Sequence, residues 1–298
     1  MALQYNLPIS TTPLEDLASN LKLDYEEVEK NLKNYKLQGI LKRYGVNFNY
    51  RAFSNYKNAA LVGLKVDDVE KAKAINKFDE VKVKHNFLRS AEFNVWFTIK
   101  GRTLEEIEKD VLDVVEECNA SDYVILPTKK IYKMDVKYDL IKGISWSYRA
   151  EPEEVPTIES FGIDEDLARK LESLPIARRP FKFEGYKEEE VVSIVEELIK
   201  VGIGRDFSGI LNERKIGFNE NGMFVLKTKD PEKIAKKLLK DYPQITHLVE
   251  RVPSKKWNYS LYFVVHAVSK DPIEKIRIEV ESFVDEVRVI YSLKNLRV

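Results

Sequence analysis

The 298-residue chain has a single cysteine, Cys118, which excludes an internal disulfide framework and any multi-cysteine zinc or iron–sulfur site. Histidine is nearly as scarce: His85, His247 and His266 are the whole supply. No stretch approaches the roughly 20 apolar residues that span a bilayer. The N-terminus lacks the basic and apolar regions of a secretory signal, so the expected location is cytoplasmic. Net charge is also missing, because 49 Lys+Arg offset 49 Asp+Glu. That balance counts against a protein whose main task is gripping nucleic acid, and leaves room only for a local basic patch. No Gly-rich phosphate loop, Ser/His/Asp arrangement or three-ligand zinc motif is evident. Abundant Lys and Glu with few Met and Gln follow the bias of heat-adapted proteins and say nothing about activity.

What the chain does contain is itself, twice. Leu7-Pro8-Ile9 with Pro13 returns as Leu174-Pro175-Ile176 with Pro180. A constant offset of 163 residues relates Gly39-Ile40 to Gly202-Ile203, Asn49-x-Arg51 to Asn212-x-Arg214, and Asn58 to Asn221. His85-x-x-x-Arg89 returns as His247-x-x-x-Arg251, one residue out of step. An ordered series of this kind marks a tandem duplication.

Each copy reads as two parts. In the first, helices are expected over Leu14–Ser19 and Glu26–Gln38, the latter with Asp24 as N-cap and Gly39 as its stop. A short strand then starts at Ile40-Leu41, as in a winged helix-turn-helix. Next come strand Ala59–Val66, helix Val69–Lys77, strands Val81–Phe87 and Asn94–Lys100, helix Leu104–Glu117 and strand Tyr123–Tyr132. That order is the ferredoxin-like βαββαβ pattern. The second copy offers helix Glu188–Val201, then strands Met223–Thr228, Ile245–Val252, Asn258–Val268 and Asp285–Leu293, with helices Glu232–Asp241 and Ile273–Phe283. The expected domains are 1–52 and 163–216 (helix-turn-helix-like), 53–140 and 217–298 (ferredoxin-like), and a linker over 141–162. Within that linker, Arg149–Pro156 reads as exposed, because its prolines and acidic run disfavour helix and buried strand. The fold class is α+β, with the two ferredoxin-like domains pairing inside one chain as a pseudo-dimer.

This architecture resembles the leucine-responsive regulators (Lrp/AsnC). In a helix-turn-helix the start of the second helix enters the major groove. Here those positions are Asp24-Tyr25-Glu26-Glu27 and Lys187-Glu188-Glu189-Glu190, whose carboxylates present the wrong charge to phosphates. The small domains therefore read as a scaffold.

The histidines carry the chemical signal. A lone strand histidine is ordinarily a hydrogen-bonded packing residue. His85 and His247, however, hold equivalent places, each followed four residues on by an arginine, and His266 closes the strand pairing with the one bearing His247. Imidazole ligates metals or transfers protons near neutral pH, and arginine grips carboxylates bidentately. Phe87, Phe93, Trp96 and Phe97 crowd one hairpin; Trp257, Tyr259, Tyr262 and Phe263 crowd the other. Alternate members are core, and the remainder can face a large flat ligand.

These hairpins resemble those of the siroheme decarboxylases, a branch of the Lrp/AsnC-like proteins. Lys84-His85-Asn86-Phe87-Leu88-Arg89 with Phe93-Asn94-Val95-Trp96-Phe97-Thr98 is similar to one subunit's T-H-N-Y-x-R and Y-N-x-W-F-T. Thr246-His247-Leu248-Val249-Glu250-Arg251-Val252-Pro253, Trp257–Tyr262 and Val265-His266 are similar to the companion's S-H-C-Y-x-R-P, W-P-Y-N-L-Y and I-H. Gly39–Gly45 and Arg178–Phe181 resemble the family's helix-turn-helix segments. The resemblance covers nearly the whole chain and implies both subunits fused in order. Departures are Ala91 where the first subunit often has histidine, Leu248-Val249 for Cys-Tyr, and Ser260 for Asn. Ala91 implies an inert first site, with catalysis left to the second.

By this resemblance the reaction removes two acetate carboxyl groups from siroheme, giving 12,18-didecarboxysiroheme in the alternative haem pathway. The implied catalytic residues are His247, His266, Arg251 and Tyr259. His85, Arg89, Trp96, Trp257, Arg214 and Arg51 are the implied substrate contacts, although Arg51 and Arg214 also suit ordinary salt bridges. No cofactor is expected, and no metal beyond the substrate iron, to which His247 or His266 would be the axial ligand. The expected partner is the tetrapyrrole, with a further homodimer left open and neither nucleic acid nor membrane involved. An Lrp/AsnC-type regulator that binds DNA and senses haem or another small ligand is the alternative.

Overall fold

The computed structural model describes residues 1–5 and 7–297. The first part of the chain forms α1 (Ala2–Tyr5), α2 (Pro13–Leu21), α3 (Tyr25–Leu37) and β1 (Leu41–Phe48). Then come β2 (Asn58–Lys65), β3 (Val83–Arg89), β4 (Val95–Gly101), α4 (Leu104–Glu117) and β5 (Asp122–Met134). Short strands β6 (Tyr138–Asp139) and β7 (Ile144–Ser145) lead to α5 (Glu165–Glu172), α6 (Glu188–Lys200) and β8 (Gly204–Leu211). The last part is β9 (Glu220–Lys227), α7 (Pro231–Asp241), β10 (Ile245–Arg251), β11 (Leu261–Ala267), α8 (Asp271–Glu281) and β12 (Glu286–Asn295). This α+β chain divides into two compact units.

The first unit holds residues 1–53, 137–141 and 154–218. Helix α3 ends where expected: Gly39 takes φ +70°, and the Ile40 N–H reaches back to the Tyr35 carbonyl at 2.9 Å. Gly202 repeats the left-handed stop at φ +82°. After each stop the chain becomes a strand, and β1 pairs antiparallel with β8 from Leu41↔Leu211 to Phe48↔Gly204. Leu14, Leu17 and Leu32 of the first copy share one core with Leu171, Val195 and Leu198 of the second. Asp24 occupies the N-cap of α3, but its side chain makes no capping hydrogen bond. Pro180 starts no helix comparable with α2. The preceding helix is instead α5, absent from the sequence reading, with Asp164 Oδ1 accepting from the Leu167 N–H at 2.8 Å.

The second unit holds 54–136, 142–153 and 219–298. Its strands run β10-β5-β2-β4-β3-β12-β9-β11, and β11 pairs back onto β10, so the eight close on themselves. Alternation along β2 shows why. Ala60, Val62 and Leu64 pack with Ile107, Val111 and Val114 of α4, while Leu61 joins Trp96, Leu126, Val225 and Ile290 in a separate cluster. Each strand thus has one face under helices and one face turned into the ring. Two antiparallel seams, β5–β10 and β3–β12, join the first copy to the second.

Four expectations need correcting. The helix expected over Val69–Lys77 is a 3-10 segment, Lys71–Lys77. The strand expected from Asn258 begins at Leu261, because a turn bridged between Ser254 and Trp257 precedes it. Residues 141–162 are not a free tether. Ile144 pairs with Ala267, Lys133 Nζ donates to the Ser147 carbonyl at 2.6 Å, and the Glu151 N–H donates to the Tyr132 carbonyl at 2.9 Å. Farther on, Ile158 is fully buried in the core of the first unit. Residues 137–141, expected in the first ferredoxin-like domain, also belong to the first unit. Among the described residues no helix is long and apolar enough to cross a membrane.

Candidate functional site

Strand alternation puts His85, Phe87 and Arg89 of β3 in one column. The exposed His85 ring stacks on Phe87 at 5.4 Å and 24°, and the Arg89 guanidinium lies 5.1 Å over the same ring. Arg89 is only 6% exposed. Its Nη1 donates to the Ile290 carbonyl at 3.0 Å and its Nη2 to Asn221 Oδ1 at 3.2 Å, so both partners come from the second copy. Burial pushes the guanidinium pKa down to about 10, with no compensating carboxylate.

The second copy repeats the column with His247, Val249 and Arg251 on β10. Its middle member is aliphatic where the first has an aromatic ring. Arg251 mirrors Arg89 by reaching into the first copy: Nη1 donates to Thr128 Oγ1 at 3.0 Å and to the Leu126 carbonyl at 3.4 Å. Its guanidinium also lies 5.5 Å over the Tyr262 ring. The register shifts between Ile245 and His247, which sets His247 opposite Val264 of β11. His247 Nδ1 sits 3.0 Å from Thr246 Oγ1. His266, two residues beyond Val264, faces the same side and pairs directly with Asn221 of β9. The Ser145 hydroxyl accepts from the His266 backbone N–H at 3.1 Å. Arg89, Asn221 and His266 therefore meet on one inward face, built from both copies.

The aromatic candidates occupy the interior. Trp96 and Trp257 lie 5.3 Å apart, Phe93 packs edge-on against Trp257 at 5.8 Å, and Tyr259 lies 5.1 Å from Trp257. Trp96, expected as a substrate contact, is held by packing. It is 1% exposed, donates its indole N–H to the Phe93 carbonyl, and fills the space left by the absent side chain of Gly63. Trp257 and Tyr259 are likewise buried; burial, then the hydrogen bond that the Tyr259 hydroxyl donates to Glu286 Oε1 at 2.7 Å, raises the Tyr259 pKa above the ordinary tyrosine value. Ala91 packs at the edge of this cluster.

Arg51 and Arg214 belong to the first unit, and the other eight candidates to the second. Their repetition has a backbone cause. Asn49 Oδ1 accepts from the Arg51 N–H, and Asn212 Oδ1 accepts from the Arg214 N–H, both at 3.2 Å. These are side-chain turns that asparagine forms two residues ahead. The Arg178 guanidinium holds Glu15 and Glu26 at 3.0 and 2.9 Å, and Arg179 holds Glu188 at 2.8 Å. The acidic starts of α3 and α6 are thus already partnered.

Asn221 was visible in the sequence only as the repeat mate of Asn58. The copies have diverged in its use, since Asn58 donates to the Arg102 carbonyl at 2.7 Å instead. Among the described residues no group of three or more His, Cys, Asp or Glu side chains is arranged to hold a metal ion.

The AsnC-like ligand binding domain family matches residues 55–133 and 215–297, one segment in each copy. A siroheme decarboxylase of Hydrogenobacter thermophilus is 24% identical over 285 residues, covering 91% of this chain and 83% of that protein. A siroheme decarboxylase beta subunit of Methanosarcina barkeri is 31% identical over 114 residues, or 37% of this chain and 75% of that subunit. The crystal structure of the siroheme decarboxylase NirDL in co-complex with an iron-uroporphyrin III analogue superposes with a TM-score of 0.66, at 20% identity, over 99% of this chain and 90% of that one. The chain therefore belongs to the AsnC-like ligand binding domain family, and within it to the siroheme decarboxylases.

Proposed function

We propose that this chain is a siroheme decarboxylase that removes two acetate carboxyl groups of siroheme, giving 12,18-didecarboxysiroheme and carbon dioxide in the alternative haem pathway. The observation that carries the reading is the reciprocal reach of Arg89 and Arg251 across the two copies, with His266 paired to Asn221, the residue that Arg89 bonds. Two buried guanidiniums, with imidazoles on the same inward strand faces, suit a flat substrate rimmed with carboxylates. The whole-length similarity to a protein of that name supports the same conclusion.

Loss of carbon dioxide leaves the electron pair of the broken C–C bond on the side-chain carbon. A protonated conjugated macrocycle accepts that pair, and a proton then completes the methyl group, so no separate organic cofactor is needed. The protein's contribution is to orient the macrocycle, offset its carboxylates and handle protons. His247 and His266 serve as axial ligand to the substrate iron or as proton donor. Arg251 orients a carboxylate, and His85 and Arg89 act from the other half. Tyr259 and Trp257 form the wall behind the macrocycle, with the Tyr259 hydroxyl held by Glu286.

In this reading each copy is a winged helix-turn-helix followed by a ferredoxin-like domain, and the two copies form a pseudo-heterodimer within a cytoplasmic chain. Nucleic acid is not a partner, because Arg178 and Arg179 are spent on the acidic helix starts. The test is anaerobic incubation with siroheme followed by mass spectrometry of the tetrapyrrole. Sequential loss of two carboxyl groups is expected, and His247→Ala should abolish most of it while the fold survives. Intact siroheme after long incubation with folded protein would refute the reading.

A further inference from the structure

Arg89 is a buried cation whose pKa burial lowers, and among the described residues no carboxylate offsets its charge. A guanidinium has five N–H donors in a fixed fork. The Ile290 carbonyl and Asn221 take two, and Nε is buried without a hydrogen-bond partner among the described residues. Directly opposite Arg89 across the β3–β12 seam stands Ser292, whose Oγ is also buried without a partner. Paired residues project to the same side of a sheet. A cationic fork edge and a spare hydroxyl therefore occupy adjacent inward positions, with Asn221 fixing the guanidinium on one side and His266 lying next to Asn221.

We infer that Arg89, Asn221 and Ser292 form a subsite for a carboxylate that the substrate keeps. The donor set suits a carboxylate: Nε–H and a remaining Nη–H bind its two oxygens side by side, and the serine hydroxyl adds a third bond. The anion supplies the missing counter-charge. That it is a retained group follows from charge flow in the reaction. A departing carboxylate ends as neutral carbon dioxide, so a tight ion pair to it stabilises the ground state more than the transition state and slows the step. A grip of this strength instead anchors the macrocycle by a non-reacting carboxylate and decides which acetates face the proton-handling histidines. Asn221 and Ser292, both of the second copy, are thus specificity-determining residues beside Arg89 of the first, the copy that carries Ala91 where the family has histidine.

This inference rests on the decarboxylase reading, and the test separates the two. Asn221→Asp places a carboxylate beside Arg89 and supplies the counter-ion from within. It should weaken binding of iron-uroporphyrin III, followed by its absorbance, at least 10-fold without lowering the thermal midpoint. A merely structural asparagine would instead give a lower midpoint and unchanged binding. Ser292→Ala should raise KM for siroheme about 10-fold, the equivalent of one charge-assisted hydrogen bond, with kcat within twofold. It should also produce decarboxylated isomers that the parent protein does not make. Binding, KM and product pattern all unchanged in both variants overturns the subsite. Iron-uroporphyrin III binding that Asn221→Asp weakens, in a parent protein that leaves siroheme intact, supports the subsite and removes the decarboxylase reading. Failure of the parent to bind either tetrapyrrole overturns both.

Discussion

Replacing Arg89 with methionine should stabilise the protein while impairing it. The guanidinium is 6% exposed, and burial lowers its pKa from 12.5 to about 10. A shift of that size corresponds to a cost of about 3 kcal/mol for holding the charge in the folded state. The cost is present in full below pH ~10. Between there and 12.5 the unfolded state binds more protons, so stability rises with pH over that interval. Methionine removes the charge and keeps an apolar stem against Phe87. It also leaves the Ile290 carbonyl and Asn221 without their donor, which costs about 1 kcal/mol each. The balance is a gain of roughly 1 kcal/mol in unfolding free energy, or a rise of about 2–4 °C in thermal midpoint. The three tryptophans, Trp96, Trp146 and Trp257, all lie in the second unit, so their fluorescence during urea unfolding reports on the unit that holds the substitution. Weaker siroheme binding with an unchanged or higher midpoint is the expected pair of results. Destabilisation by 2 kcal/mol or more would show that Arg89 is a net structural element and refute the reasoning.

Gly63→Ala should cost about 1–3 kcal/mol, because the new Cβ would lie 2.9 Å from Cη2 and Cζ2 of the buried Trp96 ring. Calorimetry gives the loss, and a shifted tryptophan emission would locate it; an unchanged midpoint would show that the Trp96 packing is loose. The Lys133 ammonium is 1% exposed, and burial lowers its pKa from 10.5 to about 8. Because the unfolded state holds the proton more tightly, stability should rise as pH climbs from about 8 to 10.5, and Lys133→Met should flatten that segment of the profile. A profile that is the same in parent and variant would mean that Lys133 keeps its ordinary pKa.

The local elements were legible because they rest on local chemistry. Helix stops at Gly39 and Gly202 need only a residue at ease with positive φ, and period-two alternation around Ala60–Leu64 needs only one buried face. The candidate residues His85, Arg89, His247, Arg251 and His266 were legible because duplication repeats the His-x-x-x-Arg spacing. Misreadings arose where long-range contacts override local preference. Residues 142–153 carry linker composition yet are held down by Lys133 and Tyr132.

By itself, then, the sequence determined the duplication, the order of helices and strands, and the residue types able to meet a carboxylated macrocycle. Only the tertiary structure decided which copy serves which. The β3–β12 and β5–β10 seams exchange the arginines, so that Arg89 bonds Asn221 and Ile290 of the second copy while Arg251 bonds Thr128 of the first. Ser292 and Asn221 had no sequence signal as binding residues. Asn221 holds the buried Arg89 cation and Ser292 sets an open hydroxyl beside it, and strand register over some 200 residues of chain separation, not local pattern, sets that juxtaposition.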